Sequence, residues 1–104
     1  NMIYVKLHQS EHSEILAVCD EELIGKTFTE EDKEIKVSKE FFQGELLSEE
    51  DTIKILKDCT NANIIGKKAI NCALDAAIIS KENIFSCGGI VHAQYYSLKW
   101  CFKI

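Results

Sequence analysis

The chain has 104 residues, of which 46% are hydrophobic and 28% are charged, so its length suits one domain and its composition excludes a disordered protein. Its net charge is −5 and all 12 cationic residues are lysines. Nucleic-acid binders normally present a basic surface and use the planar fork of arginine, so tight, general nucleic-acid binding is not expected. A small lysine patch, or docking on a partner that is itself basic, stays compatible with this charge.

The cysteines and the hydropathy pattern indicate a cytoplasmic protein. The number of cysteines is odd, no secretory signal precedes them, and most lie in apolar periodic segments, which predicts reduced, buried thiols. They are Cys19, Cys59, Cys72, Cys87 and Cys101. No apolar run approaches the roughly 20 residues of a membrane span, so no membrane association is expected. Neither a paired C-x-x-C nor an H-E-x-x-H motif is present, and no metal or cofactor is expected.

The first half of the chain predicts a hairpin followed by short elements. Alternation over residues 3–7 and an apolar run over 15–19 predict two antiparallel strands, the second of them inside the sheet. A helical turn at 20–25 that ends at Gly25, two short strands at 27–29 and 34–37, and a helical turn capped by Ser38 follow.

The second half of the chain predicts two helices and a long final strand. Ser48 begins a helix over 49–60 with acidic residues in its first turn, and a second helix with a small-residue face covers 64–79, capped by Asn61 or Asn63. A strand at 84–87 and alternation from 90 to 104 follow. The predicted fold is α+β with two layers: a mostly antiparallel sheet with an N-terminal hairpin, and two main helices on one face. Residues 2–104 form one domain, in which 97–104 extend the last strand.

The stretch from Gly88 to Gln94 is the first candidate for a site. The consecutive glycines Gly88 and Gly89 permit backbone conformations closed to other residues, or close approach to a ligand. His92 follows them and could act as an acid–base group or as a ligand, since its unperturbed pKa is about 6.5. A tight turn followed by a histidine bonded to a backbone carbonyl explains the same pattern and is the commoner case.

Other polar residues have a functional and a structural interpretation. Cys87 with His92 is the one local pair that suggests nucleophilic catalysis, and a buried structural thiol is the alternative. Asp20 could orient a histidine or cap the turn at 21–24. Asn61 and Asn63 could each bind a ligand or cap a helix, and Lys26 could meet an anion or simply face water.

Several short segments, in their order and spacing, resemble the archaeal domain-of-unknown-function family 424 over residues 2–96. They are Met2 to His8; Ala17 to Asp20 with Leu23, Gly25-Lys26 and Phe28; Val37-Ser38 with Phe41-Phe42 and Gly44; Ala62 to Gly66; and Gly89 to Gln94. The resemblance implies a compact α+β fold, an archaeal cytoplasmic origin and no established activity. It places the family's recurring polar positions on Asp20, Lys26, Asn63, His92 and Gln94. Family members usually carry a proline where this chain has Val91, which permits a regular strand here.

Two functional hypotheses follow. The preferred one is a non-enzymatic binding module with a protein or ribonucleoprotein partner, for instance in translation or another information-processing step. Its candidate binding residues are Asp20, Lys26, Asn63, Gly88, Gly89, His92 and Gln94. The alternative is a small enzyme in which His92 works with Asp20 or Cys87, and it requires these side chains to converge within hydrogen-bond reach. A homodimer through the strand at 95–104 is compatible with either hypothesis.

Overall fold

A computed structural model describes residues 2–97 of the protein. The predicted extension of the last strand over 97–104 does not include Ser97, because the strand ends at Tyr96. The rest of the extension, with most of the proposed dimer strand and Cys101, lies outside the described residues. The elements in chain order are β1 (Ile3–Gln9), β2 (Glu14–Asp20), a 3-10 turn (Glu21–Leu23), β3 (Thr27–Glu30), β4 (Lys33–Lys36), α1 (Lys39–Phe42), β5 (Glu45–Leu47), α2 (Glu49–Asp58), β6 (Asn61–Ile65), α3 (Lys67–Asp75), a second 3-10 turn (Lys81–Asn83), β7 (Phe85–Cys87) and β8 (Ile90–Tyr96).

Six strands form the main sheet, in the order β5-β1-β2-β6-β8-β7. Every neighbouring pair is antiparallel except β2 and β6, which run parallel. β1 and β2 form the predicted N-terminal hairpin, and β2 lies inside the sheet as its apolar sequence indicates. The predicted α+β fold with a mostly antiparallel sheet is confirmed.

α2 and α3 pack together on one face of this sheet. Leu56 of α2 and the small residues Ala69 and Ala73 of α3 are fully buried against Val18 and Ile64 of the inner strands. Alanine lets a helix approach the sheet closely, and the closely packed pair forms the main core. The prediction that the two main helices share one face is confirmed.

The segment 61–65 is a strand, and the predicted helix over 64–79 is wrong at both ends. α2 ends at Asp58, and α3 runs only from Lys67 to Asp75. β6 lies between β2 and β8, both of which hydrogen-bond to its backbone. Because successive strand residues face opposite sides, Ile64 and Ile65 are each buried in a different layer of the core. Asn61 and Asn63 are therefore strand residues and not helix caps.

A smaller apolar layer covers part of the opposite face. The predicted short strands form the β3–β4 hairpin, and α1 begins after Ser38, whose side chain accepts a hydrogen bond from the Phe41 N–H over 3.0 Å. Phe42 and Val37 from this layer are buried against Cys19 and Ile65 of the sheet. No helix within residues 2–97 combines the length and the apolar character needed to cross a membrane.

Candidate functional site

Gly88 and Gly89 form the two-residue turn between β7 and β8. Their φ angles of 59° and 85° are those of a type I′ hairpin turn, which glycine adopts without strain. The turn also contacts β3: the Gly88 N–H donates to Glu30 Oε1 over 3.0 Å, and a Cβ on Gly88 would lie 2.6 Å from the Thr29 carbonyl oxygen. Turn geometry and close packing thus account for Gly88, and turn geometry alone accounts for Gly89.

His92, Gln94 and Asn63 lie side by side on the face opposite α2 and α3. Asn63 of β6 is paired with Gln94 of β8, and Ile65 is paired with His92. Residues directly opposite each other in adjacent strands project from the same face, so the two amides and the imidazole form one group. They line a cleft of about 300 Å³ beside the β3–β4 hairpin and α1, together with Glu34, Ile35 and Phe41.

The His92 imidazole is half-buried and lies beside an aromatic ring. Phe85 on β7 is paired with His92, and their ring centroids are 6.0 Å apart with the planes inclined by 33°. Burial lowers the pKa of His92 below its ordinary value of 6.5, because desolvation disfavours the charged imidazolium. At neutral pH the ring is therefore uncharged and can donate one hydrogen bond and accept another.

The polar group continues along both strands, and we call it the open polar strip. It consists of Asn61, Asn63, His92, Gln94 and Tyr96, which alternate along β6 and β8 and are half-buried or exposed. Two further concavities of about 520 and 460 Å³ adjoin its Phe85 side and its Tyr96 end. Amide groups offer both donors and acceptors, so the strip is suited to recognition through hydrogen bonds.

Asp20 lies on the other face of the sheet, where it caps α3. Its buried carboxylate accepts hydrogen bonds from the Lys68 N–H over 3.0 Å and from the Ala69 N–H over 2.7 Å. Burial raises the pKa of Asp20 and outweighs the lowering by these two bonds. The sequence suggested a cap on the turn at 21–24, but the carboxylate instead serves the helix that begins 47 residues later, at Lys67.

The structure does not bring His92 together with either proposed catalytic partner. Asp20 and His92 project from opposite faces of the sheet, since Asp20 binds α3 whereas His92 lines the cleft beside α1. Cys87 shares the face of His92 but is buried and paired with Ile90, so it is displaced from His92 along the strands. The geometry gives the enzyme hypothesis no support. Among residues 2–97, no three histidine, cysteine or acidic side chains come together as a metal site.

The remaining candidates lie away from the open polar strip. Lys26 is exposed before β3, where its carbonyl accepts the Val37 N–H over 2.9 Å. Cys19, Cys72 and Cys87 are buried, as predicted. Burial raises the pKa of Cys19 to about 12 and that of Cys72 to about 11, so neither supplies a thiolate at neutral pH.

Like Tyr96, Phe85 was not among the candidate binding residues of the sequence analysis. Its side chain is 61% exposed and stands beside His92 at the edge of the open polar strip. The signal was present in the turn: a two-residue Gly-Gly connection pairs the residues that flank it, and it therefore also pairs Phe85 with His92.

The match to one protein family covers most of the chain. The family described as "Protein of unknown function (DUF424)" matches residues 8–98. The protein belongs to the DUF424 family. The fold of this DUF424 protein is shared by a solved structure, that of an uncharacterized conserved protein from Methanopyrus kandleri, with a TM-score of 0.83 and 23% sequence identity over 92% of this chain and 91% of that chain. At this identity the likeness shows the fold alone. Proteins with curated descriptions include no similar sequence.

In this DUF424 protein, β8 passes through Val91 as a regular strand. β8 runs without interruption from Ile90 to Tyr96, and the Val91 carbonyl accepts the Gly66 N–H over 2.8 Å. The expectation that valine permits a regular strand at this point is confirmed. His92 and Gln94 therefore occupy fixed strand positions rather than a strained loop.

Proposed function

We propose that this DUF424 protein is a non-enzymatic binding module that holds a macromolecular partner on the open polar strip. The observation that carries the proposal is the exposure of two large aromatic side chains at the margins of the strip: Phe85 is 61% and Tyr96 is 62% exposed. A solvated sheet face is normally polar, and amides alone would be ordinary there. Large exposed rings bordering a polar cleft are instead typical of interaction surfaces, where aromatic residues are enriched.

The strands hold the recognition groups in place before a partner arrives. Asn63 and His92 are half-buried on inner strands, so their side chains have lost part of their solvation and freedom already. Fixed donors and acceptors lower the entropy that binding costs, which favours recognition by a rigid surface. The neutral imidazole of His92 adds one hydrogen-bond donor and one acceptor to this fixed set.

The partner we propose is a protein or a ribonucleoprotein of the cytoplasm, for instance of the translation apparatus. The small size of the domain and the separation of His92 from both Asp20 and Cys87 support an accessory role. One extended face is sufficient for such a role, since weak and transient interfaces bury less than about 1,200 Å² in total.

The test is a comparison of captured partners by matched variants. The N63A/Q94A variant removes the two paired amides of the strip, and the Q43A/N71A control removes one glutamine and one asparagine that are exposed elsewhere. Each protein is immobilised and exposed at low salt to the ribosomal and soluble fractions of an archaeal lysate. We expect a partner that the wild type and the control retain and that N63A/Q94A loses. Equal retention by all three proteins, or no partner for the wild type, would overturn the proposal.

A further inference from the structure

We infer that the partner presents a basic, extended polypeptide segment, whose arginine or lysine side chains bind at the two aromatic ends of the open polar strip. This inference rests on the proposed binding function and adds the chemistry of the ligand.

The charges around the strip are complementary to a cation. The residues that line its concavities include three glutamates from different elements: Glu34 from β4, Glu82 from the second 3-10 turn and Glu14 from the start of β2. Glu34 also forms an ion pair with Lys36 at 3.9 Å, and His12 lines the concavity of Glu14. Among the described residues, no lysine lines these three concavities or the concavity of about 460 Å³ at the Tyr96 end, although the chain contains 12 lysines. The strip therefore attracts basic segments and repels phosphates, which argues against RNA as the directly bound group.

The Phe85 end of the strip combines a ring with a carboxylate. Phe85 and Glu82 line the same concavity of about 520 Å³, with His92 at its inner side. Glu82 Oε1 accepts a hydrogen bond from Ser80 Oγ over 2.6 Å, and this bond lowers the pKa of Glu82, so the carboxylate is ionised at neutral pH. An arginine can stack on an exposed ring while its N–H groups donate to such a carboxylate.

The other end of the strip also carries an exposed ring, that of Tyr96. Tyr96 and Glu14 line a concavity of about 190 Å³ with Asn61, at the margin of the sheet. Glu14 alternates in phase with Leu16 and Val18, so its side chain projects from the α2 and α3 face of the sheet, where Oε2 accepts the Gln9 side-chain amide over 3.2 Å. The Tyr96 side chain is 62% exposed, which leaves a large face of its phenol ring open to solvent.

The distance between the two ends determines the spacing in the ligand. Phe85 is opposite His92, and Tyr96 lies four positions farther along β8, which corresponds to about 13 Å at about 3.3 Å per residue. In an extended peptide, residues i and i+4 project to the same side and are separated by the same distance. The amides of Asn63 and Gln94 lie between the two ends, where they can bond to the peptide groups of the ligand.

The test uses defined peptides with the full-length protein labelled with nitrogen-15. The probes are glycine–serine peptides of about nine residues that carry two arginines four apart, two arginines three apart or two glutamates four apart, and an oligouridine of similar length. Binding is followed by amide chemical shifts and calorimetry at low salt, up to about 1 mM probe. We expect the i, i+4 arginine peptide to shift resonances of β6 and β8 and to bind roughly fivefold more tightly than the i, i+3 peptide.

Variants of the strip show whether it is the surface that binds the arginine peptide. F85A and E82Q are expected to weaken the i, i+4 arginine peptide by roughly threefold to tenfold each, and E50Q on the exposed side of α2 to leave it unchanged. The inference is overturned if the two arginine peptides bind equally, if neither binds, or if the oligouridine is preferred. In those cases, a captured partner that N63A/Q94A loses would still uphold the binding function. A partner that N63A/Q94A retains as well as the wild type does would overturn the binding function itself.

Discussion

The Asp20 carboxylate occupies the space that a side chain on residue 66 would need. A Cβ on Gly66 would lie 2.4 Å from Asp20 Cγ, and the Gly66 φ of 108° is itself a conformation that glycine favours. Gly66 is the N-cap residue of α3 and has no side chain for the first N–H groups of the helix. Asp20 supplies the missing acceptor from the end of β2, so strand and helix are joined through one buried carboxylate.

The fit between Gly66 and Asp20 predicts a large cost for a methyl group at position 66. G66A combines backbone strain with overlap against a buried carboxylate, and we expect it to lower the free energy of unfolding by about 3 kcal/mol or more. G25A is the matched control: Gly25 also has a positive φ of 80°, but its Cβ would meet only Lys39 Cε at 3.4 Å. The control should cost about 1 kcal/mol. Urea denaturation measures the free energy of unfolding of both variants. Equal decreases would show that the structure around residue 66 relaxes and removes the overlap without a further loss of stability.

The buried carboxylate of Asp20 predicts a specific pH dependence of stability. Its pKa in the folded protein is raised above the ordinary value of 3.8, so between these two values the folded state binds more protons than the unfolded state. Its contribution to stability is therefore full below pH 3.8 and is lost as the pH rises through the folded pKa. D20N lacks this titration. The stability of the wild type relative to D20N should decrease as the pH rises through this window.

Denaturation of the wild type and D20N over a series of pH values tests this sign, because the other carboxylates titrate in both proteins and cancel in the difference. A relative stability that increases with pH would show that the two N–H bonds of α3 outweigh the burial of Asp20. D20A should be less stable than either at every pH, by about 2–4 kcal/mol relative to the wild type, since two N–H groups of α3 lose their acceptor.

Local sequence patterns specified most of the fold but not the identity of β6. Alternation and turn residues predicted the N-terminal hairpin, the β3–β4 hairpin, the Ser38 and Ser48 caps and the start of β8, because each depends on neighbours in sequence. The segment 61–65 is too short to show a period, and its asparagines resemble helix caps. Its strand character depends on pairing with β2 and β8, which are distant in sequence. Tertiary pairing therefore decided this element.

The same limit applies to the candidate site. Adjacent placement of His92 and Gln94 followed from strand alternation alone, and the structure confirms that they share a face. The amide partner Asn63 could be placed beside Gln94 only once β6 was known to be a strand. Asp20 shows the converse: its carboxylate serves a helix begun by Lys67, and no local pattern connects these positions.

The His92 pKa is expected to respond to Phe85. Burial lowers the pKa of His92 below 6.5, and the centroid of the Phe85 ring lies 6.0 Å from that of the imidazole. Truncation in F85A admits water and should raise the pKa of His92 toward 6.5. Nuclear magnetic resonance titration of the His92 imidazole protons in the wild type and in F85A measures this change. A His92 pKa that F85A leaves unchanged would exclude Phe85 as the source of its burial.

The lowered pKa of His92 also determines the direction in which stability changes with pH. Its contribution is fully present above pH 6.5 and is lost as the pH falls through the folded pKa, because the unfolded chain then binds a proton that the folded protein excludes. H92Q has no such titration. The stability of the wild type relative to H92Q should therefore be lower at pH 5 than at pH 8, and denaturation at these two values, about 1.5 pH units either side of the ordinary pKa, measures it.

The adjacent glycines of the β7–β8 turn are expected to differ in their tolerance of alanine. Both have positive φ, but a Cβ on Gly88 would lie 2.6 Å from the Thr29 carbonyl oxygen, whereas a Cβ on Gly89 would meet nothing within 4 Å. G89A should therefore cost only backbone strain, about 1 kcal/mol, and G88A roughly 2–3 kcal/mol, because it also forces β3 away from the turn. The Gly88 N–H bond to Glu30 would be lost in the same movement.

Hydrogen exchange distinguishes a local effect from general destabilisation in these variants. Because β3 and β4 pair only with each other among the described strands, G88A should increase exchange in this hairpin more than in β2 or β6. The hairpin borders the cleft beside His92, so its release should also expose the imidazole and raise the pKa of His92. G89A should change neither. Equal exchange in the two variants would mean that the turn does not hold the hairpin against the sheet.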